Sequence, residues 1–329
     1  MTVRPHWPGH LVELPTGPLH VREAGEPGGG REPAVMVHGL GGAATNWTDL
    51  MGLLEDRLHS LAPDLPGFGW SPPPPHGDYS LRAHVAAVVA LVEATDRGPV
   101  HLLGNSLGGT VALVAAATRP DMVRTLTLVS PALPVLRPRA TNVHLPALAV
   151  PFAGQRLARR LGRFPVEQRV RATIALCWAD PSRVPPERVA EAIDEADRRA
   201  RLDHDSDAML QSLRSLMSAY LRPRAWPLWS LAEHVTAPTL LVYGLKDRLV
   251  DPRTASRAAK AIQDSRLVVV PDSGHVTQME HPGLVAREVR RLLPSGTAAT
   301  PVRAASPPLA RSGAGTPTPS RRTHRRSSR

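Results

Sequence analysis

Short, mainly apolar runs alternate along much of this chain with stretches whose apolar positions recur at helical spacing. Residues 34–37, 100–103 and Val123–Val129 are runs of the first kind, as expected of strands buried on both faces of a parallel sheet. Between them, residues 46–58 place Trp47, Leu50, Met51 and Leu54 on one side of a helix. Residues 81–93 do the same with Val85, Val88, Val89 and Val92, behind Ser80 as the expected N-cap. Residues 10–14 and 19–22 flank Pro15-Thr16-Gly17-Pro18 and predict a β-hairpin. Leu58–Pro63 predicts a further strand, which runs into Asp64-Leu65-Pro66-Gly67-Phe68-Gly69. The four prolines from Pro72 to Pro75 exclude a helix or sheet interior there. This strand–helix alternation predicts an α/β fold with a mainly parallel sheet and right-handed crossovers.

The pattern changes at Leu133. From there to His234 the strand-like runs vanish and helical spacing takes over. Residues 187–202 are charged and amphipathic, and residues 206–221 carry Met209, Leu210, Leu213, Leu216 and Met217 on one side. Strands resume at 238–243 and 266–270, and a last helix is expected over 282–293. The expected organisation is therefore a sheet-bearing core in two pieces, 1–132 and 235–294, interrupted by a helical cap or lid at 133–234. Residues 295–329 are rich in Ser, Thr, Pro, Ala, Gly and Arg without periodicity, and read as a disordered basic tail.

Charge and cysteine content narrow the picture only a little. The net charge of +11 includes seven arginines of the tail, which has no acidic residue, so about +4 belongs to the rest. Basicity therefore says little about the folded body, and no nucleic-acid partner is required. A single cysteine, Cys177, excludes an intramolecular disulfide and fits a reducing, cytoplasmic setting. Its apolar neighbours mark it as a buried small hydrophobe rather than a nucleophile. The first residues have no apolar core of a secretory signal, and no run of 18 apolar residues predicts a spanning helix. No His/Cys/Asp cluster has metal-ligand spacing, so neither a metal nor another cofactor is expected. The oligomeric state is not legible.

The chemistry sits at Gly104-Asn105-Ser106-Leu107-Gly108, between the strand at 100–103 and a small-residue helix at 110–117. A strand that turns abruptly into a helix forces the middle residue into a strained conformation. Small residues two before and two after let the flanking backbones pass, so the serine is pushed out at the tip. The helix N-terminus behind it favours developing negative charge.

In this stretch the chain resembles the α/β-hydrolase family, and the resemblance extends over residues 10 to 294. That family orders its triad serine, acid, histidine, with the acid and base on loops after late strands. The resemblance therefore implies Ser106 as nucleophile, Asp247 in Gly244-Leu245-Lys246-Asp247, and His275 in Asp272-Ser273-Gly274-His275. It also implies an oxyanion hole from the backbone N–H groups of Leu107 and of Leu40, the latter in His38-Gly39-Leu40-Gly41-Gly42. Gly39, Gly104, Gly108 and Asn105 would support these loops. His38 reads as a ring that braces the oxyanion loop, and Asp64 as a staple of its own turn. Asp251 and Asp272 are the alternatives to Asp247, and His281 the alternative to His275. The family's other acid position, after Val129, holds Ser130-Pro131 and supports no variant of that kind.

A serine at the elbow argues against the epoxide-hydrolase and haloalkane-dehalogenase branches, which place aspartate there. Ser106 implies acyl transfer to water instead, with a carboxylic ester of a small or medium apolar acyl group as the first expectation. The Gly-Asn-Ser-Leu-Gly-Gly elbow is also similar to that of the meta-cleavage-product hydrolases, which split carbon–carbon bonds. Those enzymes usually carry tryptophan after the histidine, where this chain has Val276. A ligand sensor with slow turnover on the same fold, and a tail-tethered nucleic-acid or membrane protein, are the readings from other classes.

Overall fold

Each central strand divides its side chains between two apolar clusters, one on either face of a sheet. Ala34, Met36, Leu103, Val129, Leu240 and Val242 face one cluster, and their neighbours Val35, Val37, Leu102, Leu128, Leu241 and Tyr243 face the other. Burial on both faces explains the continuous apolar runs in the sequence. In a computed structural model that describes residues 3–135, 148–222 and 224–294, these strands form one eight-stranded sheet. Its members are β1 (Gly9–Val12), β2 (Leu19–Ala24), β3 (Glu32–Val37), β4 (Leu58–Pro63), β5 (Val100–Asn105), β6 (Val123–Val129), β7 (Thr239–Gly244) and β8 (Ser265–Val270). Their spatial order is β1-β2-β4-β3-β5-β6-β7-β8. The expected hairpin β1–β2 is antiparallel, β2 runs antiparallel to β4, and every pairing from β4 to β8 is parallel.

Helices cover both faces. On one lie α1 (Thr48–Leu54), with Trp47 just ahead of it, and the final helix, Pro282–Leu292, which bring Trp47, Leu50, Leu54, Val285 and Val289 into the cluster of Met36 and Leu103. On the other lie α2 (Leu81–Ala94) and α3 (Leu107–Thr118). Ser80 caps α2 as expected, its hydroxyl accepting the Ala83 N–H at 3.2 Å. Helix α1 stops four residues before the expected end at Leu58, because Leu58 already opens β4 and the chain must turn first.

This topology itself points to a site. After β3 the chain moves to one side of the sheet, to β4, whereas after β5 it moves to the other, to β6. The carboxyl ends of β3 and β5 therefore flank a crevice, the place where open α/β sheets bind ligands. Those ends are His38-Gly39-Leu40 and Asn105-Ser106.

Among the described residues, the stretch between β6 and β7 holds helices and no strand. They are α4 (Ala153–Leu161), α5 (Val166–Cys177), α6 (Pro186–Arg199), α7 (Asp205–Leu221) and α8 (Leu228–Glu233). Helices α7 and α8 bury apolar faces, with Leu228 and Ala232 of α8 joining the same cluster as α3, while Ile174 and Cys177 of α5 and Val189 of α6 pack on a smaller cluster of Trp178, Val184 and Val276. Helix α7 is bolted to the start of α2 by polar contacts: the Ser212 hydroxyl donates to Tyr79 O and accepts from His84 Nε2. After β7 follow α9 (Thr254–Ala261), the one-turn α10 (Thr277–Glu280) and α11, the final helix. Residues 136–147 of the expected cap and the whole expected tail, 295–329, lie outside the described residues.

Candidate active site

Ser106 sits at φ 55°, ψ −117°, a region L-residues rarely occupy. The surrounding glycines show what permits it. A Cβ on Gly104 would lie 2.3 Å from the Gly108 carbonyl oxygen, and one on Gly108 would lie 2.3 Å from that of Val37. Gly39 passes so close that its Cβ would approach the Ser106 Cβ to 3.0 Å. The elbow is then tied to β6: the Ser106 N–H donates to Val129 O, and the Ala132 N–H donates to Ser106 O, each at 3.0 Å. Leu107 is the first residue of α3, so its N–H has no acceptor within the helix.

The Asp247 carboxylate lies at the end of β7, and Oδ1 accepts from the N–H groups of Leu249 and Val250 at 2.8 and 2.9 Å. Its other oxygen, Oδ2, accepts from His275 Nδ1 at 2.9 Å. With Nδ1 donating, Nε2 of His275 is the basic nitrogen of the neutral ring. Both side chains are almost wholly buried. Ser106, His275 and Leu40 line one cavity of about 1710 Å³.

The backbone of His275 is gripped from two distant places. Its N–H donates at 2.7 Å to the carbonyl of Cys177, the last residue of α5. Its carbonyl accepts at 3.1 Å from the amide Nδ2 of Asn105, beside Ser106. Next door, Glu280 joins the same two elements: Oε1 accepts the Gly274 N–H at 2.6 Å and Oε2 the Ala179 N–H at 2.9 Å. Gly274 is glycine because a Cβ would meet Cys177 O at 2.5 Å and Ala179 N at 2.7 Å. Sequence reading missed Glu280 and the Cys177 carbonyl. The first carries no motif, and a main-chain acceptor leaves no trace in residue identity. Cys177 is half-buried rather than buried as expected, and desolvation pushes its thiol pKa up to about 12, with Asp247 and Glu280 adding negative charge nearby, which disfavours a thiolate.

His38 has the bracing geometry. Its Nε2 accepts the Leu65 N–H at 2.9 Å while Nδ1 lies 2.7 Å from Gly39 O, so both nitrogens are used by backbone. Burial pushes its pKa down, which suits a ring that must accept at one nitrogen. Asp64 staples its turn, accepting from Ala44 N–H at 2.6 Å, Trp70 N–H at 2.9 Å and His20 Nδ1 at 2.8 Å. Burial would raise its carboxyl, yet these hydrogen bonds and the nearby imidazoles hold it below the usual range. From the other side, Arg199 of α6 donates to the Gly41 carbonyl of the loop that follows His38 at 2.8 Å.

Of the alternative residues, Asp251 borders the same cavity, but it is Asp247 that accepts from His275 Nδ1. Asp272 is exposed and faces Arg183 and His281, each at 3.6 Å. Asp251 is held by its neighbour Arg253 and by the backbone of its own turn. Among the described residues no group of three His, Cys, Asp or Glu side chains is arranged around a metal position. None of their helices is long and apolar enough to cross a membrane.

Residues 33–282 match the alpha/beta hydrolase fold family. The chain is 29% identical over 269 residues to a 2-hydroxy-6-oxononadienedioate/2-hydroxy-6-oxononatrienedioate hydrolase of Pseudomonas putida, covering 80% of this chain and 87% of that one. It is 27% identical over 250 residues to Lipase 1 of Psychrobacter immobilis, covering 76% and 73%. Among solved structures, the 2-hydroxy-6-oxo-6-phenylhexa-2,4-dienoate hydrolase of a Rhodococcus strain superposes with a TM-score of 0.69 at 22% identity, covering 87% of this chain and 99% of that one. The family match spans β3 to the start of α11, the very elements that shape the crevice, and the chain thus belongs to the α/β-hydrolase family as a hydrolase of that fold.

Proposed function

We propose that this protein is a serine hydrolase that cleaves carboxylic esters. The observation that carries the reading is the strained Ser106 in one cavity with a His275 whose Nδ1 is already committed to Asp247. A serine hydroxyl is a poor nucleophile at neutral pH, so it needs a base held in the right tautomer. In the proposed cycle Ser106 Oγ attacks the ester carbonyl and His275 Nε2 takes its proton. The carbonyl π electrons move onto oxygen, and the N–H groups of Leu40 and Leu107 receive that oxyanion. Collapse expels the alcohol, which leaves with the proton from His275. Water then attacks the acyl-enzyme by the same steps, releasing the acid and restoring Ser106. Asp247 stays ionised and stabilises the imidazolium throughout.

The cavity supports an apolar acyl group, since Met209, Leu210, Leu213 and Met217 of α7 line it. In this proposal α4 to α7 form a cap over the crevice. Carbon–carbon hydrolysis of a dienoate is the second reading, favoured by the relatives named above. Against it, three of the arginines that border the cavity, Arg188, Arg198 and Arg199, each already face a carboxylate: Asp49 and Glu191, Glu195, and Asp205. A carboxylate-bearing diene would have to compete for them.

The test is turnover of a p-nitrophenyl ester series beside a meta-cleavage dienoate, with wild type and Ser106→Ala. Ester turnover that falls by a factor on the order of 10⁴ or more in the variant supports the proposal. Ester turnover that survives Ser106→Ala overturns the triad. Turnover of the dienoate alone establishes the second reading, and a single stoichiometric burst with no turnover establishes a sensor.

A further inference from the structure

The molecule carries a surface that its catalytic cavity explains only in part. Helix α4 and its flanks, residues 148–165, contain Arg156, Arg159, Arg160 and Arg163 and no acidic residue. All four arginines are exposed. On the same short stretch Val150, Phe152, Leu161 and Phe164 are also exposed, Phe152 by 77%. Four of the ten large apolar side chains exposed among the described residues thus fall within fifteen positions. Isolated surface leucines are ordinary, but a cluster marks an interaction site. Only Gly154 of α4 is buried, so core packing does not account for the helix. It is nevertheless anchored: Gly154 abuts the Leu148 carbonyl, and Arg214 of α7 donates to Ala149 O at 3.2 Å.

We propose that α4 with its flanks is a docking surface for an anionic lipid membrane. A helix that lies in a membrane interface combines cationic side chains, which meet phosphate headgroups, with large apolar ones that enter the acyl boundary. Both are present here on one element. A second copy of this chain is disfavoured as occupant, because each face would bring four positive charges against four others. A nucleic acid would use the arginines but leave the exposed Phe, Leu and Val side chains without a function.

The position adds a consequence. Leu148, Leu161, Gly162 and Phe164 also line the cavity that holds Ser106 and His275. Docking through α4 therefore sets the cavity mouth against the lipid, and an acyl ester passes from bilayer to apolar cavity without crossing water. This consequence rests on the ester reading, whereas the docking itself does not.

The experiment is co-sedimentation of the full chain with phosphatidylglycerol vesicles and with phosphatidylcholine vesicles at moderate salt. Three variants accompany it: R156Q/R159Q/R160Q/R163Q, Phe152→Ser, and a tail variant with Arg303, Arg311, Arg321, Arg322, Arg325, Arg326 and Arg329 all replaced by Gln. Each arginine near an anionic surface is worth about fivefold in partitioning. The expected result is binding to phosphatidylglycerol alone, retained in the tail variant and weakened about tenfold or more in the α4 arginine variant. Phe152→Ser is expected to weaken it by about threefold or more. Binding that follows the tail variant and not the α4 variant overturns the proposal, as does equal binding to both vesicles or preferential capture of duplex DNA. Circular dichroism melts of each variant separate a lost surface from a lost fold. Turnover of a short soluble ester, expected to be unchanged in the arginine variant, separates the two readings: docking without turnover refutes only the ester reading.

Discussion

The two halves of the candidate site are held in opposite ways. Ser106 is presented by a contiguous pentapeptide whose glycines let strand and helix backbones cross, with Gly104 and Gly108 each about a Cβ too close to a carbonyl for any other residue. His275 owes its place to groups far away in the chain: Asp247, Asn105, the carbonyl of Cys177, and Glu280 acting through Gly274 and Ala179. The serine side is local strain held by steric exclusion. The histidine side is a set of staples between the sheet and the helical insertion, so the insertion takes part in building the core's own site. Strain of the first kind is visible in sequence. Assembly of the second kind exists only once elements 101 and 170 residues apart have met.

The contrast is sharpest if the serine side is overfilled. Gly108→Ala places a methyl 2.3 Å from Val37 O, a backbone atom that cannot swing away. The expected cost is about 3 kcal/mol in urea denaturation, with ester turnover lost even in whatever fraction stays folded. Normal stability would show that local exclusion does not define the elbow.

Next in size is the bolt between insertion and core at His84. This ring is fully buried, donates from Nε2 to Ser212, and has its pKa lowered to about 3 by burial, with the nearby His38 adding to the shift. An unfolded chain protonates His84 near 6.5, so between 6.5 and about 3 the unfolded state binds more protons. Stability therefore falls as pH drops through that window, by about 2 kcal/mol at pH 5 from this group. His84→Gln is expected to shrink the difference in unfolding free energy between pH 7 and pH 5 by about that amount. An unchanged difference would mean that the bolt opens before the fold does.

Glu280→Gln tests the histidine side directly. It preserves shape but replaces a carboxylate that accepts three hydrogen bonds, from Gly274 N–H, Ala179 N–H and the Ser273 hydroxyl, by an amide that can accept at only one atom. A fall of roughly tenfold in kcat with KM nearly unchanged is expected, because both carboxylate oxygens of Glu280 are committed to positioning the loop of His275. A matching loss with Glu280→Ala and full recovery with Glu280→Asp would instead indicate that charge alone matters. The smallest effect belongs to Cys177→Ala. The group that holds His275 is the main-chain carbonyl, so activity should stay within about twofold while stability drops by about 1 kcal/mol. A large loss of activity would show that the thiol, and not the carbonyl, matters.

Much of the architecture was legible in the sequence, since buried parallel strands advertise themselves as apolar runs. β4 and β6 fall at the expected bounds, and β7 and β8 begin one residue from them. Ser106, and His38 as a brace, followed from local chemistry. Asp247 and His275 followed from the resemblance to the α/β-hydrolase family, and the structure brings them into contact. Glu280 looked like one acid among many, because nothing near it in sequence reveals that Gly274 and Ala179 will converge on its two oxygens.

The chain by itself therefore determined the alternation of strands and helices, the glycine-lined elbow and the insertion between β6 and β7. These depend on propensity, periodicity and steric size, which act over a few residues. Tertiary structure alone decided which carboxylate faces which imidazole, which carbonyl seats His275, and that α4 and its flanks present arginines and phenylalanines together beside the cavity. Such facts depend on which surfaces remain uncovered after packing, and on hydrogen bonds that close loops of a hundred residues or more.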